Sequence, residues 1–253
     1  MSDNQNNRTN ILGDVRAEHD HAMLDMAFYE WQGYKSLIEA DDRYVVVGRR
    51  GTGKSALTYR LMKDCEARKD FVIVVKPDEE ELIGLRAVAA KYGSTVSRVR
   101  SAIKIGWRYA LIMEIAANLN RYYKTSQSMA ASQLKRPLKE WEGRGNSIIR
   151  RLHLTLKASL LQNESSEESI TELPHRLKIE ELNQSLSVIV QGLNKRIVIL
   201  IDRLDEGYEP DDIGIGIVDG IIYGTEEIRT KLPQTKAAVN GAQFPHKFGV
   251  VAG

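Results

Sequence analysis

Apolar residues along this chain fall into two patterns, short unbroken runs and long stretches at helical spacing. Arg43-Tyr44-Val45-Val46-Val47, Phe71-Val72-Ile73-Val74-Val75-Lys76 and Arg196-Ile197-Val198-Ile199-Leu200-Ile201-Asp202 are short and rich in β-branched residues, which predicts three buried strands. Lys236-Ala237-Ala238-Val239 reads as the start of a fourth. Well over a hundred residues separate the second run from the third without another strand pattern. Helical spacing there predicts helices over 94–123, 148–161 and, after Pro174, 175–193, with a polar loop at 162–169. A leading helix is expected over 15–39, where Met23, Met26, Trp31, Tyr34 and Leu37 share one face. A helix is expected over 56–62, and Asp78-Glu79-Glu80-Glu81 predicts an acidic helix start. The last helix, over 213–231, reads as amphipathic and loosened by Gly214, Gly216, Gly220 and Gly224. Residues 1–13 are polar and expected to be disordered, and no internal repeat is visible.

Chemistry enters between the first strand and its helix. Gly48-Arg49-Arg50-Gly51-Thr52-Gly53-Lys54-Ser55 fits G-x-x-x-x-G-K-[ST], the phosphate-cradling loop, in the strand–loop–helix setting that the motif needs. The expected phosphate site comprises Gly48, Arg50, Gly51, Thr52, Gly53, Lys54, Ser55 and Ala56. Backbone N–H groups from Gly51 to Ser55 would face the β-phosphate at the positive end of the helix. Lys54 would reach the β- and γ-phosphates, and the Ser55 hydroxyl would ligate Mg²⁺. The prediction is a nucleoside triphosphate site.

Such a site also needs an acid on a neighbouring strand. Asp202 closes a fully apolar run, at the strand end where open sheets of this kind carry reactive groups, and is expected to hold Mg²⁺ through water. Asp205 and Glu206 follow in Arg203-Leu204-Asp205-Glu206-Gly207, and one of them, with Glu206 preferred, would orient the attacking water as general base. The bland alternative makes both of them surface turn acids.

Together, Gly48–Ser55 and Ile199-Leu200-Ile201-Asp202-Arg203-Leu204-Asp205-Glu206-Gly207 resemble the P-loop ATPases of the STAND and KAP type, within the wider AAA-like group. The D-x-x-D-E ending is similar to the second acidic motif of the NACHT branch. Look-alikes include bacterial ATPases, some of them in phage-defence systems. The resemblance implies an α/β fold, a P-loop NTPase parallel sheet with helices on both faces and a large helical insert. It also implies ATP as the nucleotide and hydrolysis coupled to a conformational switch. AAA-like proteins place the catalytic Glu directly after the strand's Asp, whereas this chain has Arg203 there, so the base remains open between Asp205 and Glu206. A chain of this kind needs about five strands and a sensor residue; with at most four visible, the sequence reads as residues 14–253 of an incomplete ATPase domain.

Composition and charge add a second feature. The chain has 253 residues, 42% hydrophobic and 28% charged, with a net charge of +2. Between Lys91 and Leu160, however, fourteen Lys and Arg stand against three Glu, a local net of +11 inside the helical insert expected at about 91–193. Such a surface can hold nucleic-acid phosphates, with Trp107, Tyr109, Tyr122, Tyr123 and Trp141 available to stack bases. Alternatively the aromatics pack a core while the cations face water or an acidic protein partner. An oligomer is a further expectation, because a half-formed end would expose a sheet edge. The single cysteine, Cys65, excludes an intramolecular disulfide framework and a cysteine-cluster metal site, and the five histidines form no ligand set. Absence of a signal-peptide pattern or membrane-length run makes the cytoplasm the default address, and no N-K-x-D motif points to a Ras-like GTPase.

Overall fold

The computed structural model describes residues 28, 29, 34, 35, 37, 45–47, 52–123, 129–193, 195–204, 208–232 and 235–241, with the backbone alone at 47, 122, 123, 129–131 and 236–241. The expected disordered segment 1–13 and most of the expected helix over 15–39 lie outside these residues. Of that helix, Tyr34, Lys35 and Leu37 are described and helical.

In chain order the elements are β1 (Val45–Val47), α1 (Lys54–Ala67), β2 (Phe71–Val75), α2 (Glu79–Ala89), α3 (Val96–Tyr123), α4 (Met129–Glu142), α5 (Ile148–Ser159), α6 (Ser166–Arg176), α7 (Ile179–Gln191), β3 (Ile197–Ile201), α8 (Asp212–Lys231) and β4 (Thr235–Gly241). The four strands form one parallel sheet in the order β1-β4-β3-β2. Ile201 pairs with Val75 on one side and Val239 on the other, and Val239 pairs in turn with Val45.

Most of the packing lies in the helices. Trp107, Trp141, Leu111, Ile112, Met113 and Ile115 are wholly buried, and they share one core cluster with Ile73, Ile199 and Ile201 from the sheet. A smaller cluster on the opposite sheet face joins Val198 and Leu200 to Leu57, Leu61 and Cys65 of α1 and to Tyr34. The expected α/β P-loop NTPase architecture, a parallel sheet with helices on both faces and a helical insert, is therefore corrected. The described chain is mostly helical and its sheet consists of short strands. The physical reason is where the buried apolar residues lie: most of the main core comes from the helices, and the strands are only three to seven residues long.

The contact between α3 and α8 also reverses the reading of the glycines. Gly216, Gly220 and Gly224 repeat at four-residue spacing and lie on the face of α8 that meets α3. A Cβ added at Gly216 would sit 2.7 Å from the Val99 Cβ, and one at Gly220 would sit 2.6 Å from the Ile103 Cβ and 3.0 Å from the Arg100 carbonyl oxygen. At Gly224 it would come within 3.0 Å of the Lys104 carbonyl oxygen and the Trp107 ring. These glycines do not loosen the helix. They let two backbones approach, and the Trp107 indole N–H then donates to Thr225 Oγ1 at 2.8 Å across the junction.

Other boundaries shift for local reasons. The polar stretch at 162–169 runs into α6, because Ser165 caps the Glu168 N–H while Glu168 accepts from the Ser165 N–H, a reciprocal cap. Pro174 lies in the last turn of α6, and the next helix begins only at Ile179. Helix α4, which contains Pro137, is not anticipated by the sequence pattern. β4 runs between β1 and β3, in the interior of the described sheet, whose edge strands are β1 and β2.

Gly220→Ala tests the close crossing. Alanine gains about 1 kcal/mol in helix propensity, but overpacking a rigid junction costs about 1–3 kcal/mol. The variant should lose stability in urea unfolding with an unchanged slope; equal or greater stability would show that the two helices have room between them.

Candidate nucleotide site

Helix α1 starts where the sequence places the phosphate loop. Gly53 is its N-cap with φ 85°, a left-handed conformation that glycine adopts without strain. The first intrahelical bond is the Leu57 N–H donating to the Gly53 carbonyl at 2.9 Å. The N–H groups of Lys54, Ser55 and Ala56 therefore have no acceptor within the helix. Lys54 is the first helical residue, and the first turn contains no acidic residue. A cation there opposes the helix dipole, an opposition that a bound anion would offset. Thr52 and Gly53 are exposed, whereas Lys54, Ser55 and Ala56 are half-buried. Gly48, Arg49, Arg50 and Gly51 lie outside the described residues.

Asp202 follows β3 at the same sheet edge. All four strands are parallel, so the segment after Val47 of β1 and Asp202 after Ile201 of β3 emerge on one side, with β4 between them. The Asp202 N–H donates to the Val75 carbonyl at 2.9 Å, fixing its backbone. Its side chain is 1% exposed, and Oδ2 has no hydrogen-bond partner among the described residues. Burying a carboxylate oxygen without a partner is costly, and a bound cation or its water would relieve that cost. The donor chemistry suits Mg²⁺, which takes few protein carboxylates and keeps several waters. Arg203 then turns the chain sharply at φ 66°. Asp205, Glu206 and Gly207 lie outside the described residues.

The far end of that loop is anchored by groups that the sequence analysis did not single out. Arg86 of α2 donates to both carboxylate oxygens of Asp211, one bond measuring 2.9 Å, and pairs with Glu209 at 3.1 Å. Asp211 is also the N-cap of α8, accepting from the Gly214 N–H at 2.8 Å. Gly214 is required there, since a Cβ would fall 2.0 Å from the Glu209 carbonyl oxygen. Asp211-Asp212 before an apolar periodic stretch is a readable cap signal; Arg86 offers none. Asn240 of β4 pairs with Val46, which places a polar residue on the strand between the loop and Asp202.

The basic stretch looks different once folded. Arg98 pairs with Glu167, Arg100 with Asp219, and Lys104 and Arg108 with Glu227 at 2.7 and 2.8 Å. These acids come from α6 and α8, so three carboxylates from outside the stretch pair with four of its fourteen cations. Arg151 is buried with Glu114 at 2.9 Å, and that carboxylate also accepts from the Trp141 indole. Trp107, Tyr109 and Trp141 are core residues and are not available to stack bases. The side chains of Tyr122 and Tyr123 are outside the described set. Among the described residues no His, Cys, Asp and Glu cluster forms a metal cage, and no helix is long and apolar enough to cross a membrane.

A protein of Escherichia coli (strain K12) named "Putative transposon gamma-delta 80.3 kDa protein" is 39% identical to this chain over 233 residues. The match covers 91% of this chain and 33% of that protein, so the chain spans about a third of the relative's length. No family model and no solved structure matches the chain. With no structural counterpart and a mostly helical body, no P-loop NTPase fold is indicated.

Two outcomes check this geometry. Asp211→Ala should cost about 1 kcal/mol through the lost cap. Arg86 and the Gly214 N–H hold the Asp211 carboxyl down from 3.8 to about 2. Because that folded value is lowered, its stabilisation is full above 3.8 and disappears as pH falls through about 2. Acid unfolding of Asp211→Ala should therefore be less steep over that interval; an unchanged profile would remove the anchor. Arg100→Glu with Arg108→Glu should lower the thermal midpoint, since both then repel α8, and unchanged stability would show that these pairs contribute nothing.

Proposed function

We propose that this chain binds ATP with Mg²⁺ and hydrolyses it as a conformational switch. The observation carrying the proposal is Asp202, buried at the sheet edge with a partnerless oxygen, on the same edge that leads into the lysine-headed N-terminus of α1. In this reading the N–H groups from Gly51 through Ser55 hold the phosphates, with Gly48, Arg50, Thr52 and Ala56 completing the loop. Lys54 supplies the charge at the β- and γ-phosphates, and Ser55 and Asp202 hold the metal. Glu206 or Asp205 orients water from the loop anchored through Arg86. Mg²⁺ when bound would neutralise charge on the phosphates. The resemblance to STAND, KAP and NACHT ATPases supports adenine as the base. The name of the Escherichia coli relative adds a transposon setting to the proposal, and dependence on ATP implies a cytoplasmic location.

A second reading has one observation in its favour. Arg203 stands immediately after Asp202, where AAA-like enzymes carry the catalytic glutamate. On that ground the chain would bind nucleotide without turning it over, serving as an interaction module.

Calorimetric titration with Mg-ATP separates these outcomes. Lys54→Ala should weaken binding at least about tenfold, or about 1.4 kcal/mol, and unchanged affinity would end the nucleotide proposal. Asp202→Asn should remove the Mg²⁺ dependence of binding. Glu206→Gln should bind normally and stop phosphate release; if Asp205→Asn does so instead, the base is Asp205. Binding by the wild type without any phosphate release selects the second reading.

A further inference from the structure

A cleft of about 1170 Å³ lies between α4, α5, α6 and α7, away from the candidate nucleotide site. Its size exceeds what a small ligand usually fills, roughly 300–1,000 Å³. Two large apolar side chains on its lining are open to solvent, Leu161 at 57% and Val188 at 60%. The lining is also cationic. Arg136 and Arg176 have carboxylate partners in Glu140 and Glu164, whereas the Arg144 guanidinium donates to the Thr155 hydroxyl and the Lys178 ammonium has no ion-pair partner among the described residues. Lys178 holds a left-handed conformation, φ 50°, at the N-terminus of α7, where a cation is electrostatically misplaced. With four cations (Arg136, Arg144, Arg176 and Lys178) against two carboxylates (Glu140 and Glu181) on its lining, the cleft is net positive and calls for an acidic, partly apolar counterpart.

The chain presents such a counterpart elsewhere. The outer face of α2 begins with Glu79 and Glu80, both exposed and without partners among the described residues, and continues one turn later with Ile83, 55% exposed. Its inner face is committed, with Leu82, Leu85, Val88 and Ala89 buried. The outer ridge thus combines two unpaired carboxylates with an isolated large apolar side chain, which matches the cleft in both charge and hydrophobicity. We propose that the outer ridge of α2 docks into the α4–α7 cleft of a second copy of this chain. Ile83 would meet Val188 and Leu161, and Glu79 and Glu80 would meet Lys178 and Arg144. Because the two surfaces differ, the contact is head-to-tail and leaves one free ridge and one free cleft at the ends of any open assembly. It involves no residue of the nucleotide site and stands or falls independently of ATP binding.

Sedimentation velocity at about 1 to about 100 µM protein tests it. The wild type should associate, more weakly as salt rises. Ile83→Asp and Val188→Asp, both at exposed positions, should each be monomeric with unchanged circular dichroism. Mixed one to one, they should form dimers and nothing larger, because one copy keeps an intact cleft and the other an intact ridge. Glu80→Lys should weaken association at least about tenfold, and adding Lys178→Glu should restore it. A wild type that stays monomeric throughout, association that survives Ile83→Asp and Val188→Asp, or a mixture that does not pair would overturn the proposal. Capture of a different acidic protein by the cleft, with no self-association, would overturn it equally.

Discussion

The close crossing of α3 and α8 sets the rest of the architecture. Three glycines at four-residue spacing bring the α8 backbone against Val99, Ile103 and the Trp107 ring, at separations that no side chain on α8 would permit. Close packing of this kind gains many dispersion contacts over a long line and tolerates little displacement. Everything attached to either helix inherits that rigidity. α3 carries α5 through the Gly106 contact with Leu152 and Leu156, and α4 through Tyr109, whose ring stands edge-on to Trp141. α8 connects β3 to β4, two strands that pair directly with each other in the sheet.

The charge pattern obeys the same constraint. A helix pair held apart by large side chains would keep its flanking charges distant, but here Lys104 and Arg108 reach Glu227 across the seam, and Arg100 stands 3.9 Å from Asp219. Partly exposed pairs of this type stabilise little individually. Their larger effect is on register: sliding α8 by a turn would carry Glu227 away from Lys104 and Arg108. The local net of +11 therefore overstates the free positive surface by the carboxylates that α6 and α8 fold onto it. Charge counted along a sequence is a reliable guide to an interface only when the opposite charges are not folded onto it.

Legibility in the sequence followed the range of the interaction. Strands β2 and β3 were readable because Val, Ile and Leu form unbroken runs, and the start of α1 because Gly53-Lys54-Ser55 is a local pattern. Asp202 could be singled out as the polar end of an apolar strand, although its orphaned oxygen could not. The α6 cap was present in Ser165-Ser166-Glu167-Glu168 and was masked by the polar composition around it. The architecture was misjudged because the glycines of α8 report on a partner helix some hundred residues away in the chain. Glycine in isolation signals a weak helix; only the partner reveals close packing. Arg86 belongs to the same class, since nothing in its own neighbourhood indicates Asp211.

The α3–α8 seam has a consequence for biosynthesis. About ninety residues separate the end of α3 from the start of α8. At translation speeds of about 5–20 residues per second, α3 emerges on the order of ten seconds before the helix that covers Val99, Ile103 and Trp107. During that interval a groove shaped for a glycine face is open on the nascent chain. Folding of this protein on the ribosome thus includes a waiting period, in which the apolar face of α3 is exposed to chaperones and to neighbouring nascent chains until α8 arrives.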